Sequence, residues 1–194
     1  MKGLNVIGIN GSARRNGNTA ILINTVFSEL HQQDIATEMI DLAGRRPHGC
    51  IACYQCFKNK DRRCAVDDDC INMLIEKMLS ADGIILGSPT YFADLSPELK
   101  AVIDRAGMVA RANGDMFRRK IGAAVVARRR GGAIHVFDSI NHFFTIGQMI
   151  IVGSSYWNIG AGREKGEVRD DDEGMNTMRQ LGRNMGWLLQ KIHT

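Results

Sequence analysis

The sequence predicts an α/β fold, a parallel β-sheet with helices on both faces. Three observations carry this. Five short apolar runs alternate along the chain with segments of helical periodicity, the pattern of strand–helix–strand crossovers, which are right-handed in a parallel sheet. The first run, Leu4 to Ile9, is apolar at every position but Asn5, as suits a strand buried on both faces. Ser96-Pro97-Glu98 opens a helix with Ser as N-cap and Pro at the first helical position.

The elements follow in order. After the Leu4–Ile9 strand, Asn18 to Leu30 has helical spacing at Ile21, Leu22, Val26 and Leu30. Thr37 to Leu42 is a second strand. Asp67 to Leu79 reads as a helix, with Asp67-Asp68-Asp69 at the positive end of its dipole and Cys70 as one of its core residues. Gly83 to Gly87 is the third strand, followed by the Ser96 helix. Ile121 to Ala127 is the fourth, and the helix after it runs through about Phe144. His135 and His142 lie seven apart on one face of that helix; with Phe143 and Phe144 adjacent, they are expected to pack. Met149 to Val152 is the fifth strand. The chain closes in a helix from about Glu173 to Ile192, capped by the run Arg169 to Glu173.

No repeat or linker interrupts this order, and 194 residues suit a single domain, 1–194. Two stretches lack regular periodicity, 44–66 and 153–172, the second holding Tyr156-Trp157. Loops this long in a compact domain tend to be functional.

Composition narrows the function classes. No apolar run approaches the ~18 residues of a membrane-spanning helix. The N-terminal residues enter a strand without signal-peptide architecture, so a cytoplasmic protein is expected. The net charge of +4 is modest, and the basic runs Arg118-Arg119-Lys120 and Arg128-Arg129-Arg130 have no interleaved aromatics. That suits solvated surface or small-anion sites and not nucleic acid. Five cysteines in such a chain argue against a disulfide framework and for metal or redox use.

Directly after the first strand comes Asn10-Gly-Ser-Ala-Arg-Arg-Asn-Gly-Asn-Thr19, then a helix. A small-residue loop at a helix N-terminus makes an anion site, because free N–H groups and the helix dipole converge there. Ser12 and Thr19 add hydroxyls, Asn18 an amide and Arg14 a bidentate cation. There is no Gly-Lys-Ser/Thr, and Gly8-Ile-Asn-Gly11 breaks the Gly-x-Gly-x-x-Gly fingerprint. A second loop, Gly87-Ser-Pro-Thr-Tyr-Phe92, lies at the carboxyl end of the third strand, where open α/β sheets bind ligands. Pro89 fixes its backbone, while Tyr91 and Phe92 offer flat faces to an aromatic ring. A third loop, Arg128-Arg-Arg-Gly-Gly132, leaves the same edge. Taken singly, the first two loops are also explained as a helix-capping turn and a plain strand-to-helix turn.

Together, Gly-Ser-x-Arg-x-x-Gly-Asn-Thr after strand one, Gly-Ser-Pro-Thr-Tyr-Phe after strand three and Gly-Gly after strand four resemble the NADPH-dependent FMN reductase family. The resemblance is strongest to its iron-sulfur flavoprotein branch, extends to the multimeric flavodoxin-like quinone reductases, and covers nearly the whole chain. It implies a flavodoxin-like three-layer sandwich with a five-stranded parallel sheet in the order 2-1-3-4-5. It further implies that Ser12, Arg14, Asn18 and Thr19 hold the FMN phosphate and that Pro89, Thr90, Tyr91 and Phe92 flank the isoalloxazine ring. Arg129 and Gly132 would approach the ring from its other side. The arginine run departs from the milder residues many relatives carry there.

Cys50-Ile-Ala-Cys53-Tyr-Gln-Cys56 and then Cys64 give C-x2-C-x2-C-x7-C. Three thiolates at two-residue intervals wrap a cubane cluster, and the bacterial ferredoxin run begins the same way. The last spacer is seven and not three, and Ala65 stands where ferredoxins place proline; the iron-sulfur flavoprotein branch tolerates the longer spacer. Three readings stay open: a [4Fe–4S] cluster on Cys50, Cys53, Cys56 and Cys64, a zinc site, and metal-free thiols in a substrate-covering loop. If a cluster is held, the loop's exit at the carboxyl edge of the second strand places it near the flavin.

No Ser-His-Asp or paired-carboxylate arrangement stands out, and flavin chemistry needs none, since it belongs to the cofactor. The expected function is an FMN-dependent oxidoreductase. Electrons come from NAD(P)H or a reduced carrier and pass to a quinone, a flavin, a metal ion or a protein, with a ferredoxin-like partner where the cluster is present. A flavodoxin-like electron carrier and a flavin or thiol redox sensor are the rival readings; the net positive charge speaks against the carrier. A homodimer or homotetramer is expected, with Tyr156, Trp157, Phe143 and Phe144 in candidate interface regions, Trp157 serving alternatively to line the flavin site.

Overall fold

A computed structural model describes residues 3–193. The sheet runs β2-β1-β3-β4-β5, formed by β1 (Asn5–Asn10), β2 (Ala36–Asp41), β3 (Gly83–Pro89), β4 (Ile121–Arg128) and β5 (Ile150–Ile151), all paired in parallel. The expected 2-1-3-4-5 order holds. Alternation along each strand feeds two cores. Ile7, Ile9, Ile84, Leu86, Ala124 and Val126 meet one helical layer, while Val6, Ile85, Val125 and Ala127 meet the other.

The first layer is α3 (Ile71–Ser80), α4 (Pro97–Ala112) and α5 (Ala133–Ile146); the second is α1 (Asn18–His31) against α6 (Asp172–Ile192). Local chemistry sets several ends. Ser96 caps α4 by accepting from the Leu99 N–H at 3.3 Å, and Asp171 caps α6 by accepting from the Gly174 N–H at 3.0 Å. The other Asp171 oxygen accepts from the Ala161 N–H at 2.6 Å, so one carboxylate ties the last helix to the sheet. No helix among the described residues is long and apolar enough to cross a membrane.

Four expectations are corrected. The fifth position of the sheet is shared by two strands. β5 pairs only with Ile121 and Gly122, and β6 (Ile159–Ala161) pairs with Val126 to Arg128. Between them the chain loops out at 153–158, where the single Ser154 hydroxyl proton is shared between the Tyr156 carbonyl and Asn158 Oδ1, each 2.6 Å from Oγ. The helix expected from Asp67 begins at Ile71 instead. Asp69 accepts the Ile71 N–H at 3.0 Å and Arg105 draws it inward, so Asp67 to Asp69 stay outside the helix and Cys70, half-buried, is its N-cap. The segment 44–66 holds a five-residue helix, α2 (Gln55–Asn59), bounded by left-handed Tyr54 and Lys60. Finally, His135 and His142 are exposed, because the buried face of α5 is Val136, Ile140, Phe143 and Phe144. Phe143 and Phe144 are therefore core residues and not interface residues, whereas Tyr156 and Trp157 are 59% and 51% exposed.

Candidate functional site

The carboxyl edge of the sheet opens into a cavity of about 360 Å³. The first loop contributes Ser12, Arg14, Asn18 and Thr19, the second Pro89, Thr90 and Tyr91, and the third Arg129. Arg128, Gly162 and Arg163 complete the wall, with Ala127. Four of these are arginines and none is a carboxylate, so the cavity is electropositive. Two other expected residues stand apart. Tyr91 and Asp94 bond each other's backbone across a tight turn, whose tip, Phe92 at φ 41°, points fully into solvent. Gly132, at φ 88°, is the left-handed N-cap of α5 and packs against Ala93 and Thr90 instead of lining the cavity.

The phosphate end is built locally. Asn10 Oδ1 accepts the Ser12 N–H at 3.1 Å, and Ser12 Oγ accepts the Arg14 N–H at 3.1 Å, which curls the loop over the start of α1. The N-cap of α1 is Gly17, so no side chain satisfies the first-turn amides, and that turn carries no acidic residue. Free amides, the buried hydroxyls of Ser12 and Thr19, and an arginine fit a phosphate dianion. Asn18 also acts at a distance. Its Nδ2 donates to the Glu164 carbonyl at 2.9 Å and its Oδ1 accepts the Gly166 N–H at 2.8 Å. Arg14 Nη1 donates to the Arg163 carbonyl at 3.0 Å. Together they hold the 162–166 loop as a wall of the cavity. Gly162 is required there, since a Cβ would come within 2.6 Å of the Val168 nitrogen and 2.8 Å of Asn18 Nδ2.

The four cysteines of the motif line a second hollow, on the α4 side of the sheet, with Arg105, Met108 and Val109. Cys56 is buried and Cys64 half-buried, while Cys50 and Cys53 are exposed on the outer arm of the loop. Ala52 and Tyr54, on either side of Cys53, are both left-handed, at φ 52° and 54°; each such residue costs ~1–3 kcal/mol and concentrates at ligand sites. Burial pushes the Cys56 thiol up. Among the described residues, the one trio of metal-type donors with all ligand atoms within 4.8 Å is His48, Asp68 and Asp69. No three of the four sulfurs are so close, and a tetrahedral zinc with Zn–S of about 2.3 Å needs sulfurs ~3.8 Å apart. The donor set fits an iron-sulfur cluster in kind and number. The hollow itself is about 20 Å³, the room of roughly one water, so holding a cluster there would require the exposed Cys50–Cys53 arm to move.

Two residues with no place in the motif organise this hollow. Asn72, buried in the first turn of α3, accepts the Cys64 N–H at 2.8 Å and donates to the Cys64 carbonyl at 2.9 Å. Arg105, with a side chain 0% exposed, pairs with Asp69 and donates Nε–H to Cys64 Sγ at 3.3 Å. Burial alone would push the Asp69 carboxyl up, but the His48 and Ile71 amides and Arg105 hold it below the ordinary carboxylate range. Arg105 had a legible signal: it sits on the apolar stripe of α4 with Val102, Ala106 and Val109. The two sites share no lining residue. The N-terminus of α4 abuts Gly11 of the phosphate loop, and Arg105 to Val109 lie eight to twelve residues further on, ~12–18 Å down the helix. The cysteine loop thus leaves the sheet edge and runs down beside α4, away from the cavity it was expected to adjoin.

Residues 4–164 match the family model described as NADPH-dependent FMN reductase. The chain is 37% identical to an iron-sulfur flavoprotein of Methanocaldococcus jannaschii, over 97% of this chain and 99% of that one. It is 31% identical to an iron-sulfur flavoprotein of Archaeoglobus fulgidus, over 96% and 98%. Among solved structures, it superposes on the flavodoxin, WrbA-like protein from Agrobacterium tumefaciens with a TM-score of 0.64, at 13% identity, over 98% of this chain and 99% of that one. That likeness establishes the flavodoxin-like fold.

Proposed function

The chain belongs to the NADPH-dependent FMN reductase family and is a flavoprotein oxidoreductase, and on that premise we propose that it holds FMN at the sheet edge and a [4Fe–4S] cluster on the cysteine loop. The reading is carried by one observation: an electropositive, carboxylate-free cavity that gathers three separate loops of the sequence. Bound FMN supplies a ring that takes up a hydride and releases electrons singly or in pairs.

The protein's own contribution is binding and electrostatics. Ser12, Thr19 and the first-turn amides of α1 receive the phosphate, with Arg14 across from them. Asn18 and Arg14 keep the 162–166 loop closed over it. Pro89, Thr90 and Tyr91 flank the ring; Arg128 and Arg129 hold positive charge beside it, which favours electron uptake there. Cys50, Cys53, Cys56 and Cys64 hold the cluster, with Cys56 and Cys64 set by the scaffold and Cys50 and Cys53 brought by the exposed arm. NAD(P)H or a reduced ferredoxin-like carrier is the donor, and a quinone, flavin or protein the acceptor.

The test is protein purified without oxygen. It is expected to release FMN and not FAD, to contain about four iron and four sulfide per chain as a cubane requires, and to oxidise NAD(P)H with a quinone acceptor. Cys56→Ser removes most of the iron and leaves FMN bound, while Cys70→Ser changes neither. Iron-free protein after anaerobic reconstitution overturns the cluster, and FMN-free protein overturns the edge site.

A further inference from the structure

We propose that Arg105 is the positioning residue of the cysteine site: its Nε–H fixes the Cys64 sulfur and raises the reduction potential of the cluster that sulfur helps hold. The proposal rests on the cluster reading above, and its test separates the two.

The argument starts from an arginine where α4 should carry an aliphatic side chain. Leu99, Val102, Ala106 and Val109 on the same stripe are at most 1% exposed, and so is Arg105. A guanidinium is retained in such a place only if its donors are met. Four of its five N–H donors are met, all of them by residues 48–69, the segment that carries the cysteines. Nε donates to Cys64 Sγ, Nη1 to the His48 carbonyl at 3.2 Å and to Asp69 Oδ2, and Nη2 to the Val66 carbonyl. Asp69 in turn accepts the His48 N–H at 2.7 Å. The guanidinium therefore ties both ends of the cysteine loop to α4.

Stapling the loop would need only the carboxylate and the two carbonyls. The third contact differs in kind. A neutral thiol is a weak acceptor, whereas a thiolate sulfur takes a charge-assisted bond. The Nε–H is thus matched to a deprotonated sulfur, the state of a cluster ligand. Hydrogen bonds to ligand sulfurs raise cluster potentials because they stabilise the more negative, reduced form. Asp69 neutralises the guanidinium at longer range, so the effect is confined to the bonded sulfur. Asn72 also holds the Cys64 backbone, so this sulfur is fixed through both main chain and side chain.

The experiment compares wild type, Arg105→Met and Arg105→Lys as FMN-loaded, anaerobically reconstituted protein in mediated redox titration. The step read is a one-electron reduction: dithionite, itself oxidised, supplies the electron through the mediator, and no bond or proton moves. Arg105→Met is expected to change the reduced-to-oxidised ratio of the cluster at fixed potential at least tenfold, a lowering of about 59 mV for one electron, with the FMN potentials unmoved. Arg105→Lys, which keeps the charge without the fork, recovers part of the shift. If Asp69, left unpaired, unfolds the Met variant, the double variant Arg105→Met, Asp69→Asn carries the measurement. A merely structural role leaves the potential where it was, so an unchanged potential in cluster-loaded variant overturns the proposal. The second readout uses metal-free protein, in which amide exchange over 61–66 is expected to quicken at least tenfold in Arg105→Met. If wild type takes up no iron, the cluster reading fails on its own. The exchange rate over 61–66 then decides whether Arg105 positions the Cys64 segment: acceleration sustains the positioning role and an unchanged rate refutes it.

Discussion

Replacing Ser12 and Arg14 together by Ala tests the phosphate end of the edge cavity. Ser12 is 5% exposed, so a bond from its hydroxyl to phosphate contributes ~1 kcal/mol. A hydrogen bond from a charged group contributes ~1.5–3 kcal/mol; Arg14 is exposed, and screening by water and salt brings its share down to ~1–2 kcal/mol. The two losses overlap, because Ser12 Oγ accepts the Arg14 N–H and so shapes the loop that presents the guanidinium. Their plain sum, ~2–3 kcal/mol, is therefore the upper bound, a weakening of FMN binding by at most roughly 30- to 150-fold at 1.4 kcal/mol per decade. Quenching of FMN fluorescence on titration with flavin-free protein measures this directly. Riboflavin, which lacks the phosphate, is the control, and its affinity is expected to move by less than about threefold. FMN affinity unchanged in the double variant, or riboflavin weakened as much as FMN, refutes the assignment of this loop to the phosphate.

Three further outcomes are expected. Gly162→Ala forces a methyl against the Val168 nitrogen and Asn18 Nδ2; overpacking of this kind costs ~1–3 kcal/mol, read as a Tm lowered by roughly 2–10 °C together with weaker FMN binding. The Asp69 carboxyl lies below the ordinary value, so the unfolded chain binds its proton more readily than the folded one. Its contribution is therefore complete above a pH of about 4 and is lost as the pH falls further through the folded value. Urea midpoints at neutral and acid pH should show this loss, and Asp69→Asn should reduce it. Light scattering at ~10 µM, far above the Kd of a stable interface, is expected to give a dimer or tetramer; a monomer contradicts this.

The sequence by itself determined the order of elements and the location of the edge cavity. Apolar alternation is a local property, and parallel strands joined by crossovers put the loops after strands one, three and four at one edge whatever their detailed packing. The Ser96 and Asp171 caps were legible for the same reason, since cap and amide lie three residues apart. The cysteine spacing marked the four thiols that line the second hollow without reference to anything distant. What only the tertiary structure decided is which surfaces meet. Arg105 reaches Cys64 across 41 positions, and Asn18 reaches Glu164 across 146. The same gap explains the misplaced features. Asp67 to Asp69 have the composition of a helix start, yet Arg105 takes Asp69 for the cysteine loop. His135 and His142 share a helical face, but which face of α5 is buried depends on where Phe143 and Phe144 find the sheet. The cysteine loop leaves the carboxyl edge as its position in the chain requires, and its descent along α4 is held by a guanidinium whose hydrogen bonds it accepts.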